Sequence, residues 1–466
     1  MEVFNSLKKG ILYVLFANFI TMLLNLITNF LLPRYLSIDA YAGIKTFQLY
    51  INYIGVFHLG YVDGIYLKYG GKAYNKIDKN DLSKSISTLR IFQLVITLLL
   101  IIVSILMHDR ILLCFSFAII PLNLTAYFRM LYQATGMFGI YSKIVNALAL
   151  TTFLANCILL IIGIRDNYLL YLLLYVILDV LVWLFLEYSF FKRIENKSRY
   201  LFTFDYAEFI GNIRSGFALM MGNFTSFVLT GLDRWFVKFL LPTQAFALYS
   251  FAVSLENMLN MVTTPITIPL YNYFCVENKK EQIQRITDVV IIFSLILISA
   301  AFIVEIPVNL FLINYRSAMP VVFLLFAAQG IQFVIKAVFV NLYKVRLQQN
   351  VYMIKLLIVL ISGAILNIVC YSIIKNMEAF AWGTFFSSVL WLILSIPDFK
   401  DLNIPYRNWV ILLFIIAEYL ILGFNCKPLI GFILHLLISL TIVALFFRNS
   451  ITYIYEILNQ KWRKLI

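Results

Sequence analysis

The chain has 466 residues, of which 62% are hydrophobic and only 13% charged, and its formal net charge is +14. That composition excludes a water-soluble globular fold. The positive balance does not call for nucleic acid, because Lys and Arg gathered on one rim of a membrane protein meet anionic lipid headgroups.

A helix needs about 20 mostly apolar residues to cross a hydrocarbon core of roughly 30 Å. About fourteen such stretches can be placed between short polar connections, which predicts an all-α integral membrane fold. The first, 11–32, is too long for a signal-peptide core and is read as a span. Its Asn18, Thr21, Asn25 and Asn29 recur at helical spacing and share one face. The second, 41–60, carries Lys45, Gln48 and Asn52 in the same way. Four strongly apolar stretches follow at 89–107, 111–132, 145–164 and 168–191. Polar faces then return: Asn223, Ser226, Thr230 and Asp233 on or just beyond 216–232, and Ser250, Ser254 and Asn257 on 246–270. The remaining stretches are 289–313, 321–342, 355–374, 379–396, 409–422 and 431–447.

Short loops rich in Lys and Arg stay in the cytoplasm. With the N-terminus inside, that side receives Lys68, Lys72, Lys76, Lys79 and Lys84, then Lys192, Arg193, Lys197 and Arg199, and finally Lys461, Arg463 and Lys464. An even number of spans then leaves both termini cytoplasmic.

The chain also echoes itself. The string FLLP at 30–33 leads to Ala40, Tyr41 and Ala42, and recurs at 239–242 before Ala245, Phe246 and Ala247. The polar stripes fall on the first two helices of each half of the chain, at 11–60 and 216–270, the pattern of a transporter with a central path between two similar halves. Such side chains also serve as hydrogen-bonding glue between helices, worth about 0.6 to 2 kcal/mol each. Their matching placement favours a hydrated cavity.

Charges inside apolar stretches cost at least about 2.5 kcal/mol at a helix centre and usually face a partner or water. Asp179, Glu187, Glu256, Glu305, Lys336 and Glu418 are of this kind. Glu187 and Glu305 are near enough to span ends to snorkel. Glu256 beside a polar face, able to accept a coupling ion such as Na+ or H+, and Lys336, able to neutralise a phosphate, are the candidates taken forward. Cys114, Cys157, Cys275, Cys370 and Cys426 are scattered, and His58, His108 and His435 read as isolated, so no metal site or cofactor is expected.

Three segments carry a family resemblance: LLPRYLSIDAYAGIKTFQLY at 31–50, GYVDGIYLKYGGK at 60–72, and the run from LDRWFVKFLLP to ALYSFA at 232–252. Together they resemble the polysaccharide and O-antigen flippases, the Wzx-type branch of the superfamily that also holds the multidrug MATE exporters. The resemblance implies two six-helix halves of MATE-like type, at 1–195 and 196–400, with an additional helix pair and cytoplasmic tail at 401–466. It implies translocation of polyprenyl-diphosphate-linked oligosaccharide repeat units from the cytoplasmic to the outer leaflet, by alternating access, in the inner membrane of a bacterium. Membrane lipid, and other polysaccharide-assembly membrane proteins, are the implied partners; nucleic acid is not. Arg34, Lys45, Arg234 and Lys238 flank the polar stripes and can offer charge-assisted hydrogen bonds to phosphate, while the stripe amides suit sugar. An ion-coupled exporter of small cationic compounds is the competing reading within the class. A membrane-embedded glycan polymerase or glycosyltransferase is the competing enzyme, which the short external connections and absence of a DxD pair disfavour.

Overall fold

The computed structural model describes residues 2–192, 202–276 and 279–448. Among them there are helices and turns but no strand. Packing divides the chain into two compact units, Met1–Gly231 and Leu232–Ile466. The division expected at 195/196 falls outside the described residues, as do Arg193, Lys197, Arg199, Lys461, Arg463 and Lys464.

The first unit contains α1 (Glu2–Tyr35), α2 (Ile38–Ile51), α3 (Tyr61–Tyr69), α4 (Lys79–Leu106), α5 (Arg110–Ala134), α6 (Phe138–Ile161), α7 (Tyr168–Lys192) and most of α8 (Tyr206–Leu240). Polar caps fix several helix starts. Ser37 accepts from the Ala40 amide before α2, Asp78 from Asn80 before α4, and Asp109 from both Ile111 and Leu112 before α5. The core gathers Tyr61, Ile65, Leu89, Leu124, Tyr127, Phe128, Leu131 and Phe190, which brings α3, α4, α5 and α7 together.

The stretch 41–60, expected as one span, is broken. After α2 the chain makes a 3-10 turn at Ile54–His58, then passes through the left-handed region at Leu59 (φ 50°) and Gly60 (φ 85°) before α3 begins. Gly60 and Gly64 then let α3 cross α8 in backbone contact. A Cβ on Gly64 would lie 2.1 Å from the Asn212 carbonyl oxygen, and one on Gly216 would lie 2.1 Å from that of Gly60. Below this crossing Lys68 reaches both carboxylate oxygens of Glu208 at 2.9 and 2.8 Å, and Asn212 donates to the same carboxylate at 2.8 Å.

The second unit holds the end of α8 with α9 (Thr243–Val276), α10 (Lys280–Ile298), α11 (Ala300–Phe311), α12 (Met319–Val334), α13 (Asn341–Val345), α14 (Gln349–Ile374), α15 (Glu378–Ser395), α16 (Tyr406–Asn425) and α17 (Pro428–Phe446). Two of its spans are irregular. A break at Ser299 separates α10 from α11, and a π-helical turn, Ile335–Val340, joins α12 to α13. A 3-10 turn, Ile396–Leu402, follows α15 and is tied to the α13–α14 region. There Arg346 grips Asp401 with two bonds of 3.0 and 2.7 Å, and Asp398 takes Tyr343 and Lys355 at 2.5 Å each.

Among the described residues ten helices are long and apolar enough to cross a membrane, eleven if the two parts of α8 count as one span. The other stretches read as spans lie on α1, α2 and α9. The protein is a multi-pass membrane protein.

Candidate functional site

The break between α2 and α3 opens a cavity of about 470 Å³ inside the first unit. Irregular backbone at membrane depth is tolerated where it lines a cavity, because its freed polar groups need water or side chains. Here Gln93 on α4, fully buried, donates to the Phe57 carbonyl at 3.2 Å and accepts from Asn123 on α5 at 2.8 Å. That leaves Asn123 Oδ1 buried without a partner among the described residues, and Thr125 Oγ1 likewise, both on residues that line the cavity.

The charged lining is sparse. Asp63 on α3, buried, accepts from Asn223 Nδ2 at 3.4 Å, and its other oxygen is 3.9 Å from His58 Nδ1. That nitrogen already accepts from the Gly60 amide at 3.2 Å, so the proton of neutral His58 sits on Nε2. Arg129 on α5 is the cation of the lining and, among the described residues, has no carboxylate within ion-pair distance. Asn52, Tyr53, Phe224 and Phe227 complete the polar and aromatic walls. The cavity thus offers a guanidinium, amides and aromatic faces in one place.

In the second unit a line of polar side chains runs along α9, α12 and α15. Asp233, buried, accepts from Tyr249 at 2.6 Å, from Thr384 at 3.4 Å and from the Arg234 amide at 2.7 Å. Ser388, one turn beyond Thr384 on α15, accepts from Gln332 at 3.0 Å, and Gln332 in turn accepts from Lys336 at 3.2 Å. Lys336 sits in the π turn, a geometry that recurs at functional sites because it re-aims side chains and frees backbone groups. Gln329 reaches Asn260 on α9. Glu256 feels Asp233, Lys336 and Arg234 electrostatically, yet among the described residues it makes no contact ion pair with Lys336.

Of the residues singled out from sequence, Asn52 and Asn223 line the cavity of the first unit. Asn18 and Asn25 are exposed on α1, Asn29 is half-buried there, and Arg34 is exposed near its end. Lys45 and Gln48 are half-buried on α2, with the Lys45 ammonium 5.2 Å from the Tyr41 ring centroid. None of these six lines the cavity. Asp233, Arg234, Glu256 and Lys336 fall in the second unit's polar line. Lys238 lies over Phe246 at 5.5 Å, and Asn257 is exposed on α9. Arg129, Asp63, Asn123 and Gln93 went unnoticed in the sequence. So did the bond between His435 and Glu418, at 2.8 Å, which corrects the reading of His435 as isolated: residues 17 apart on two helices carry no spacing signal.

The architecture is similar to two solved structures. The lipid II flippase MurJ in its inward closed conformation matches with a TM-score of 0.72 at 15% identity, over 95% of this chain and 100% of that chain. A multidrug resistance MATE family transporter of the MOP superfamily, inward-facing, matches with a TM-score of 0.55 at 10% identity, over 82% of this chain and 95% of that one. No curated protein sequence matches the chain. Residues 7–274 match the family model described as polysaccharide biosynthesis protein, and the chain belongs to that family.

Proposed function

We propose that this protein translocates polyprenyl-diphosphate-linked oligosaccharide repeat units from the cytoplasmic to the outer leaflet of a bacterial inner membrane, for a cell-surface polysaccharide such as O-antigen or capsule. The observation that carries the reading is the guanidinium of Arg129, without an ion-pair partner among the described residues, in a membrane-embedded cavity lined by Asn52, Asn123 and Asn223. A diphosphate needs a cation, sugar hydroxyls need amides and a carboxylate such as Asp63, and sugar faces stack on rings such as Tyr53 and Phe227. Among the described residues each unit places such a cation among amides: Arg129 with Asn123 on α5, and Lys336, in the π turn after α12, with Gln329 and Gln332. Membership of a polysaccharide biosynthesis family and a fold shared with transporters support the same reading.

The mechanism we assign is alternating access without catalysis, both termini lying in the cytoplasm, with Na+ or H+ as the coupling ion and other polysaccharide-assembly membrane proteins as partners. Asp63 and Asp233, both buried, favour a second reading, an ion-coupled exporter of small cations. Mass spectrometry of polyprenyl-linked oligosaccharides in depleted cells, with a membrane-impermeant probe of the sugar, separates them. Complete single repeat units trapped inside are the expected result. Truncated units would indicate a transferase, units stranded outside a polymerase, and an unchanged profile the small-molecule exporter.

A further inference from the structure

His435 on α17 is wholly buried, and Glu418 faces it from α16 with 14% of its side chain exposed. Nδ1 lies 2.8 Å from Glu418 Oε2, and Nε2 lies 3.1 Å from the carbonyl oxygen of Leu295 on α10. These two distances fix a proton inventory. A carbonyl oxygen only accepts, so Nε2 carries a proton and donates it to Leu295. Nδ1 then meets a carboxyl oxygen at hydrogen-bond distance, and that contact needs a second proton, whether it rides on the ring or on the carboxyl. Imidazolium with carboxylate and imidazole with carboxylic acid are both neutral overall. Without the second proton, two lone pairs would face each other beside an uncompensated charge in the membrane.

The Leu295 carbonyl is open to His435 because of the helix break. The Ser299 amide, which would close the next helical bond onto Leu295, turns to Ile296 at 3.2 Å instead. His435 therefore satisfies an orphan of the broken span with one nitrogen and holds the neighbouring helix with the other. Unmet polar atoms surround the pair: Glu418 Oε1, Tyr419 Oη, Glu305 Oε2 and Ser439 Oγ are all buried without a hydrogen-bond partner among the described residues. Glu305, the charged residue of α11, takes a bond from Asn309 at 3.3 Å and acts electrostatically on Tyr419. Neither α12 nor the rest of α17 contains a charged residue, and the charges of α10 lie at its other end, where Asp288 accepts from Asn408 at 2.7 Å.

We propose that Glu418 and His435 form a proton-binding site within the membrane, and that its proton fastens the C-terminal helix pair α16–α17 to the broken span α10–α11. Losing the proton opens the Nδ1 contact and leaves only the bond to Leu295. The site is independent of what the protein carries, so its test needs no cargo.

The test uses purified full-length protein. Nitrogen NMR of its three histidines, assigned by substitution, is followed with pH alongside infrared carboxyl difference spectra and thermal unfolding. The expected result is one proton released by the pair as a unit, with His435 and a carboxyl band changing at a common midpoint and Tm falling as pH passes it. Glu418→Gln, whose amide can donate to neutral Nδ1, should release one proton fewer per chain and lose the pH step in Tm while staying folded. A His435 signal that is constant wherever the protein is folded, or His435 and Glu418 titrating at separate midpoints, would overturn the proposal.

Discussion

Arg129 has no ion-pair partner among the described residues to stabilise, which makes it a clean probe. A hydrogen bond to a charged group contributes about 1.5–3 kcal/mol, so Arg129→Ala should weaken cargo handling roughly 10- to 100-fold with little change in Tm. Arg129→Lys, keeping a point charge but not the planar fork, should recover part of it; trapped repeat units and an unfolding curve read both effects. Tyr249→Phe should do the reverse. It deletes the 2.6 Å bond to buried Asp233 and should cost about 1–3 kcal/mol of stability, seen as a lower unfolding midpoint. Arg234→Ala should impair export without unfolding the protein, and normal glycan output would remove it from the site. Polar stripes made Asn52 and Asn223 visible in sequence. Arg129 was not, because a cation near the end of the stretch 111–132 reads as one that snorkels to the interface. Only the unwound segment before α3 makes a cavity at its depth.

That segment is also the main feature of element scale that sequence did not reveal. Apolar residues continue through 51–60, so hydropathy carries straight on, and the punctuation is confined to Gly55, Gly60 and a few polar side chains. The apolar spans themselves were legible, since each must satisfy its own backbone within lipid. Helix crossings were not, because Gly60, Gly64 and Gly216 gain meaning only when α3 and α8 meet. Gly64→Ala should therefore displace or destabilise the crossing by about 1–3 kcal/mol. Gly55→Ala should be tolerated, its added Cβ lying 3.6 Å from His58 Nε2 with nothing nearer. Expression level and thermal unfolding of the two variants check the contrast. The π turn sets a matching test: Lys336→Ala should reduce export while the protein still folds, and a loss of expression alone would make the lysine structural.

For the whole molecule, composition settled the solvent, and the resemblance in three short segments pointed to the family that the match over residues 7–274 shows. The cavity of the first unit and the polar line of the second share one property. At their ordinary charges Arg129 offsets Asp63 in the first unit, and Arg234 and Lys336 offset Asp233 and Glu256 in the second. On the proposed function, an empty carrier would then move no net charge on these six groups. A loaded one carries the charge of its cargo, and each negative charge driven outward by an inside-negative potential gains about 2.3 kcal/mol per 100 mV. Voltage would then act on the loaded step through the charge of the cargo.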